Sequence, residues 1–248
     1  MYNRLLYEIK RFCVMNKKYL LGLSVLLASS VFASEVPLCA LPLLKSAQVV
    51  DNAKTEGDKD PGCAAVYSNA LSVLKQTNSK LSLANDSAIP AQLTVGTVYL
   101  QPISMAPAGM MRPREKSDIH LEIDIHAKSS LKSRGFAPGD WLPNANISYS
   151  IQKIGSDKPI VCGTKANKAL TTCPLMAMVA SDGPHYGDNV KLDGAGFYVA
   201  TFSAKSNPMM FGWHTDTDSK ILGTEYVDWK FKQSYLFKFT GVGKKGGY

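Results

Sequence analysis

The sequence predicts an all-β protein, an antiparallel β-sandwich carrying a helical extension at its N-terminus. Three observations predict it. From Gln92 onward, short β-type runs recur between Gly, Pro and Asp residues. One of them, Asp118–His126, alternates polar and apolar residues without interruption. Helical spacing is confined to a stretch ahead of residue 90.

Residues 1–33 read as a secretory signal peptide. Lys17 and Lys18 precede an apolar run from Tyr19 to Ala28, and Val31-Phe32-Ala33 places small residues at the −3 and −1 positions of a cleavage site. The run is shorter than the roughly 20 apolar residues a membrane span needs. Met15-Asn16-Lys17-Lys18 would itself open a conventional signal, which makes Met15 a candidate start. Residues 34–90 form the expected helical extension with a linker. Asp60 is a candidate N-cap with Pro61 at the first helical position, and Val66, Ala70, Leu71, Val73 and Leu74 supply an apolar face running to Leu81. Residues 84–90 read as linker. Residues 91–248 form the sandwich, with strands expected at Leu93–Leu100, Asp118–Ala127, Asn146–Ile154, Leu175–Ala180, Gly196–Ala204 and Lys232–Thr240. A Lys-rich segment between Cys162 and Cys173 is a polar insertion between strands.

The chain has 28 Lys plus Arg against 20 Asp plus Glu among its 248 residues, a net charge of +8. Residues 1–33 hold five of the basic residues and one acidic residue, so the exported chain keeps 23 against 19. No basic stripe with interleaved aromatics remains, which excludes a nucleic-acid partner. Loss of Cys13 with the signal leaves Cys39, Cys63, Cys162 and Cys173, an even set suited to disulfides in an exported protein. Of the three possible pairings, Cys39–Cys63 and Cys162–Cys173 close the most local loops.

Side chains two residues apart on a strand share a face, so His120, Glu122, Asp124 and His126 line one side of the 118–126 run. Ile119, Leu121, Ile123 and Ile125 line the other, the core side. Taken alone, the polar side reads as a solvated outer face. His120 and His126 lie roughly 20 Å apart along a straight strand, too far to share one ion. Glu122 stands about 6.6 Å from His120 by the same rise, and its hard oxygen, with that of Asp124, suits a harder cation beside a softer one. Met178 and His185 flank a tight Asp182-Gly183-Pro184 turn, and Trp213-His214-Thr215-Asp216 supplies the fourth histidine of the chain. Imidazole with thioether is a donor set suited to copper.

At these residues the chain resembles the FetP-type periplasmic iron-transport proteins, a family that includes a treponemal membrane antigen. The resemblance runs from about Gln92 to Val242. It is carried by Val98-Tyr-Leu-Gln-Pro102, Ala108-Gly-Met110, Ser117 to Ala127, Gly135-Phe136, Gly139-Asp-Trp-Leu-Pro143, Met178 to Gly187 and His214-Thr-Asp216. It implies an immunoglobulin-like sandwich, a periplasmic homodimer with metal sites at its interface, and association with an inner-membrane iron permease. It further implies binding of copper and of iron, with manganese or zinc as surrogates. The implied copper ligands are His120, Met178, His185 and His214, the last donated across the dimer, with Glu122 as the acidic residue tied to iron. The 34–90 extension and the Cys162–Cys173 insertion have no counterpart in that resemblance.

Other classes fit less well. A blue-copper electron carrier orders its ligands Cys, His, Met, whereas here the order is Cys173, Met178, His185. No His-Glu-x-x-His zinc motif and no Gly-x-Ser-x-Gly nucleophile elbow is present. A structural adhesin leaves the placement of the histidines unexplained. The expected function is therefore copper and iron binding in support of iron uptake, with periplasmic copper handling or electron transfer as the alternative. No catalytic residue is assigned.

Overall fold

The computed structural model describes residues 36–40, 61–77, 89–165, 168–214 and 227–242. The expected signal peptide, the start at Met15, the Asp60 cap, most of the 84–90 linker and Asp216 lie outside them.

The strands are β1 (Val36–Pro37), β2 (Cys39–Ala40), β3 (Leu93–Leu100), β4 (Ile119–Ala127), β5 (Asn146–Lys153), β6 (Gly163–Lys165) and β7 (Lys168–Leu170). They continue with β8 (Cys173–Pro174), β9 (Met176–Ala180), β10 (Gly183–Val190), β11 (Gly196–Lys205) and β12 (Lys230–Phe239). One five-stranded sheet has the order β1-β3-β4-β10-β9 and the other β2-β12-β11-β5-β8, with every pairing antiparallel. The predicted sandwich is therefore present, and the expected strands agree with the observed ones to within two residues at their ends.

Alternation decides which side chains meet between the sheets. Ile119, Leu121, Ile123 and Ile125 of β4 face Tyr198, Ala200 and Phe202 of β11 and Phe231, Tyr235, Phe237 and Phe239 of β12 in one continuous buried core. Each face-sharing pair is two residues apart, so slipping a strand by one residue would exchange core and surface along its whole length.

Two features depart from the expectations. The stretch Gly183–Val190, where no strand is expected and where the Asp182-Gly183-Pro184 turn presents His185, is a full strand between β4 and β9. Pro184, Gly183 and Gly187 lower strand propensity there. Pro184 is tolerated because pairing with β4 begins only at Tyr186↔Ile123. The turn survives as Ser181–Asp182, and Gly183 follows it at φ 134°, a conformation that favours glycine. The second departure lies in the extension, which is more than helical. Its residues Val36–Ala40 pair first with β3 and then with β12, so five residues edge both sheets while Leu38 is buried between them.

The predicted helix is α1, Pro61–Thr77. Cys63, Val66, Tyr67, Ala70, Val73 and Leu74 recur at helical spacing and pack on Val199, Leu236 and Ile154, the outer face of the second sheet. The Cys39–Cys63 disulfide ties β2 to this helix, and Cys162–Cys173 closes the β6–β7 hairpin, as the local pairing predicts. The Cys39–Cys63 loop spans 24 residues, for which the chain-entropy account gives about 3 kcal/mol. Replacing both cysteines by alanine is expected to lower the urea-unfolding free energy by about that amount, with the β-sheet circular dichroism unchanged.

Candidate metal centre

The candidate centre lies on the outer face of the first sheet. Register brings its members together. Antiparallel partners put His120 level with Leu100 and Asn189, and Glu122 level with Val98 and Gly187. On the far side of β10, His185 is level with Met178 of β9. Directly opposed residues share a face with Cβ atoms about 5 Å apart, so Met178 projects beside His185. The outcome is a cluster of His120, Glu122 and His185 whose ligand atoms all lie within 4.8 Å of one another. Glu122 Oε1 stands 3.5 Å from His120 Nε2 and 3.4 Å from His185 Nε2.

The His120–Glu122 end of this polar face is not solvated, while Asp124 and His126 are half-buried. His120 is 0%, Glu122 6% and His185 5% exposed, and Met178 is buried beside them. The connection from Gln101 to Ser117 is held to this face through the Asn189 amide, which bonds Ile103 N–H at 3.2 Å, Ile103 O at 2.8 Å and Arg112 O at 2.9 Å. The same side chain meets His120 Nδ1 at 3.0 Å. Gly187 makes room for the cluster, since a Cβ there would fall 2.5 Å from His120 Nε2.

The Nε2 atoms of both His120 and His185 are buried without a hydrogen-bond partner. A buried polar atom left unpaired costs about 1–3 kcal/mol. Two of them converging on one carboxylate oxygen, with a thioether alongside, form the donor set of a cation that accepts nitrogen, oxygen and sulfur. The residues present therefore fit a metal ion, which His120, His185 and Glu122 would hold with Met178 opposite His185.

Burial pushes the His120 imidazole down to about 4 from its ordinary 6.5, opposed by the Asn189 hydrogen bond and assisted by the neighbouring His185. It is consequently a neutral donor at pH 7. Asp124, half-buried and one step along the same face, has its carboxyl raised by burial, which His185 and His126 oppose. Two of the four histidines lie apart from this cluster. His126 lies outside the cluster and bonds Gly139 O at 2.9 Å through Nδ1. His214 is exposed, next to Trp213 in an aromatic group with Phe136 and Phe211, and is not part of the cluster within one chain. Asn189 and Gly187 escaped the sequence reading. Their signal was the parity they share with His185, legible only once residues 183–190 are taken as a strand.

Protonation of the metal-free protein yields one expected outcome. The unfolded chain takes up a proton on residue 120 near pH 6.5, the folded chain only near 4. Between those values the unfolded state binds more protons, so stability is full above pH 6.5 and falls as pH drops toward 4, by up to about 3 kcal/mol. Urea titrations at pH 7, 5.5 and 4.5 should show this slope, and His120→Leu should flatten it. A second outcome concerns space. Gly187→Ala must displace the His120 ring, and should destabilise the protein by about 1–3 kcal/mol in the same assay.

Comparison with known proteins shows the family. The family described as Fe2+ transport protein matches residues 81–241. The UPF0423 protein of Brucella abortus is 42% identical over 164 residues, covering 63% of this chain and 80% of that protein. The 34 kDa membrane antigen of Treponema pallidum is 37% identical over 134 residues, covering 53% of this chain and 60% of the antigen. Among solved structures, the copper-reconstituted P19 protein from Campylobacter jejuni shares 34% identity at a TM-score of 0.53, covering 65% of this chain and 98% of that one. A copper-bound variant of FetP from uropathogenic Escherichia coli strain F11 shares 37% identity at a TM-score of 0.52, covering 64% and 97%. The family match begins at residue 81, beyond β1, β2 and α1, and holds every member of the cluster. The chain belongs to the Fe2+ transport protein family.

Proposed function

We propose that the chain is an exported copper- and iron-binding protein of the periplasm that supports iron uptake, delivering iron to an inner-membrane iron permease. The observation that carries this reading is the pair of buried, unpartnered Nε2 atoms of His120 and His185 converging on the Glu122 carboxylate. Family membership and copper-bound relatives support the choice of metals.

The roles follow from donor chemistry. His120 and His185 offer neutral nitrogen, which accepts either oxidation state of copper. Met178 offers soft sulfur, which favours Cu(I), and Glu122 offers hard oxygen and a negative charge, which favour iron or manganese. Copper bound there would supply one-electron redox chemistry. Within a single chain the set is short of one imidazole, and a homodimer in which the partner subunit's His214 completes it accounts for the exposure of that residue. Glu122 is buried, so its charge acts on a cation more strongly than that of a surface carboxylate.

Copper titration tests the assignment. His120→Ala and His185→Ala should each weaken copper by on the order of 100-fold, about 3 kcal/mol. Met178→Leu should weaken Cu(I) more than Cu(II), and Glu122→Gln should weaken iron or manganese more than Cu(I). Equal copper affinity in the wild type and His185→Ala would sink the reading. Iron-limited growth of a deletion strain tests delivery: an unimpaired strain that is instead copper-sensitive would make the protein a copper handler.

A further inference from the structure

We propose that Asn189 is a positioning residue that holds His120 as its Nδ1–H tautomer and ties that choice to closure of the 101–117 loop over the metal centre. The proposal rests on the metal-binding reading above and adds to it the residue that prepares one ligand before any ion arrives.

A side-chain amide has one oxygen that accepts up to two hydrogen bonds and one nitrogen that donates two. Asn189 uses all four. Its Nδ2 donates to Ile103 O at 2.8 Å and to Arg112 O at 2.9 Å, and its Oδ1 accepts from Ile103 N–H at 3.2 Å. The reversed orientation would set the oxygen against two carbonyls and the NH2 against a backbone N–H, so the three loop contacts fix which way the amide points. Oδ1 therefore faces His120 Nδ1, at 3.0 Å. An oxygen can only accept, hence Nδ1 carries the proton, and Nε2 of the neutral ring is left with its lone pair. That lone pair is the buried, unpartnered atom beside Glu122 and His185.

The alternative tautomer fails on the same geometry. Moving the proton to Nε2 would bring two lone pairs together at Nδ1 and Oδ1, and would block the nitrogen that faces the cluster. A second consequence concerns the loop. Ile103 and Arg112 are the two ends of an arc of the β3–β4 connection, and both are gripped by this one side chain. Arg112 is held again on the far side, where its guanidinium reaches Val161 O at 3.4 Å. Opening the arc releases the amide to rotate, and with it the constraint on His120. Outer partners of this kind are generally worth 10–100-fold in metal affinity.

Long-range proton–nitrogen NMR of the metal-free protein reads the tautomer directly. The wild type should show His120 protonated at Nδ1. Asn189→Leu, similar in size and without polar atoms, should move the proton to Nε2, where Glu122 accepts it, and copper affinity should fall about 10–100-fold. Asn189→Asp keeps an acceptor toward His120 but gives up both donations to the loop. It should retain a proton on Nδ1 while the Ile103 amide exchanges faster with solvent. A wild type protonated at Nε2, a folded Asn189→Leu that keeps Nδ1–H, or an Asn189→Asp that loses it would each overturn the proposal. Should Asn189→Leu not fold, the wild-type tautomer and Asn189→Asp decide. A wild type that shows Nδ1–H, shifts in Asn189→Leu and yet binds no copper would support the positioning role and remove the copper reading, so the two fail separately.

Discussion

Two imidazole nitrogens and a carboxylate are buried together on the outside of a sheet, and that arrangement constrains everything around it. Each unpartnered nitrogen costs about 1–3 kcal/mol, and a carboxylate taken out of water costs more. A fold of marginal net stability tolerates this only where the surrounding structure dictates the geometry. Here β4 and β10 lie at the middle of a five-stranded sheet, where both neighbours and the core face beneath hold them in register. An edge strand such as β9 could not have carried all three groups, but it can bring Met178 alongside.

The sandwich supplies the rigidity that the site spends nothing on. Tyr186, between His185 and Gly187, points into the core, where its hydroxyl donates to Leu142 O at 2.7 Å and accepts from Ala145 N–H at 2.9 Å while its ring stacks on Trp141. Those contacts hold β10 in place from below, as the Asn189 amide holds the covering loop from above. Asp188 also faces inward, and the Tyr149 hydroxyl donates to it at 2.7 Å, joining β10 to the second sheet. Burial raises the Asp188 carboxyl while Tyr149 and the charge of Arg112 oppose the rise. The residues that alternate with the site are thus the ones that fasten it.

The extension belongs to a different part of the structure. Its strands β1 and β2 edge both sheets, and α1 covers the outer face of the second sheet, away from the strands that carry the cluster. With its disulfide it closes an apolar patch and one exposed edge of each sheet, the places where β-proteins are open to unwanted pairing. Its described residues contribute packing and a disulfide, and none of them belongs to the cluster.

Much of this was legible in the sequence, because it rests on local periodicity. The two-residue alternation of 118–126 set His120 and Glu122 on one face and the isoleucines on the other, and the spacing of Val66, Ala70 and Val73 marked the buried side of α1. The even cysteine count and short loops identified both disulfides. What the sequence could not decide was whether the polar face of β4 meets water, since that depends on a loop folding back over it from Gln101 to Ser117. Nor could it show β10, whose proline and glycines argue locally against a strand and whose pairing is nonlocal. With that strand hidden, the parity joining His185, Gly187 and Asn189 was hidden too. Periodicity fixes which way a side chain points; only tertiary pairing determines what it then faces.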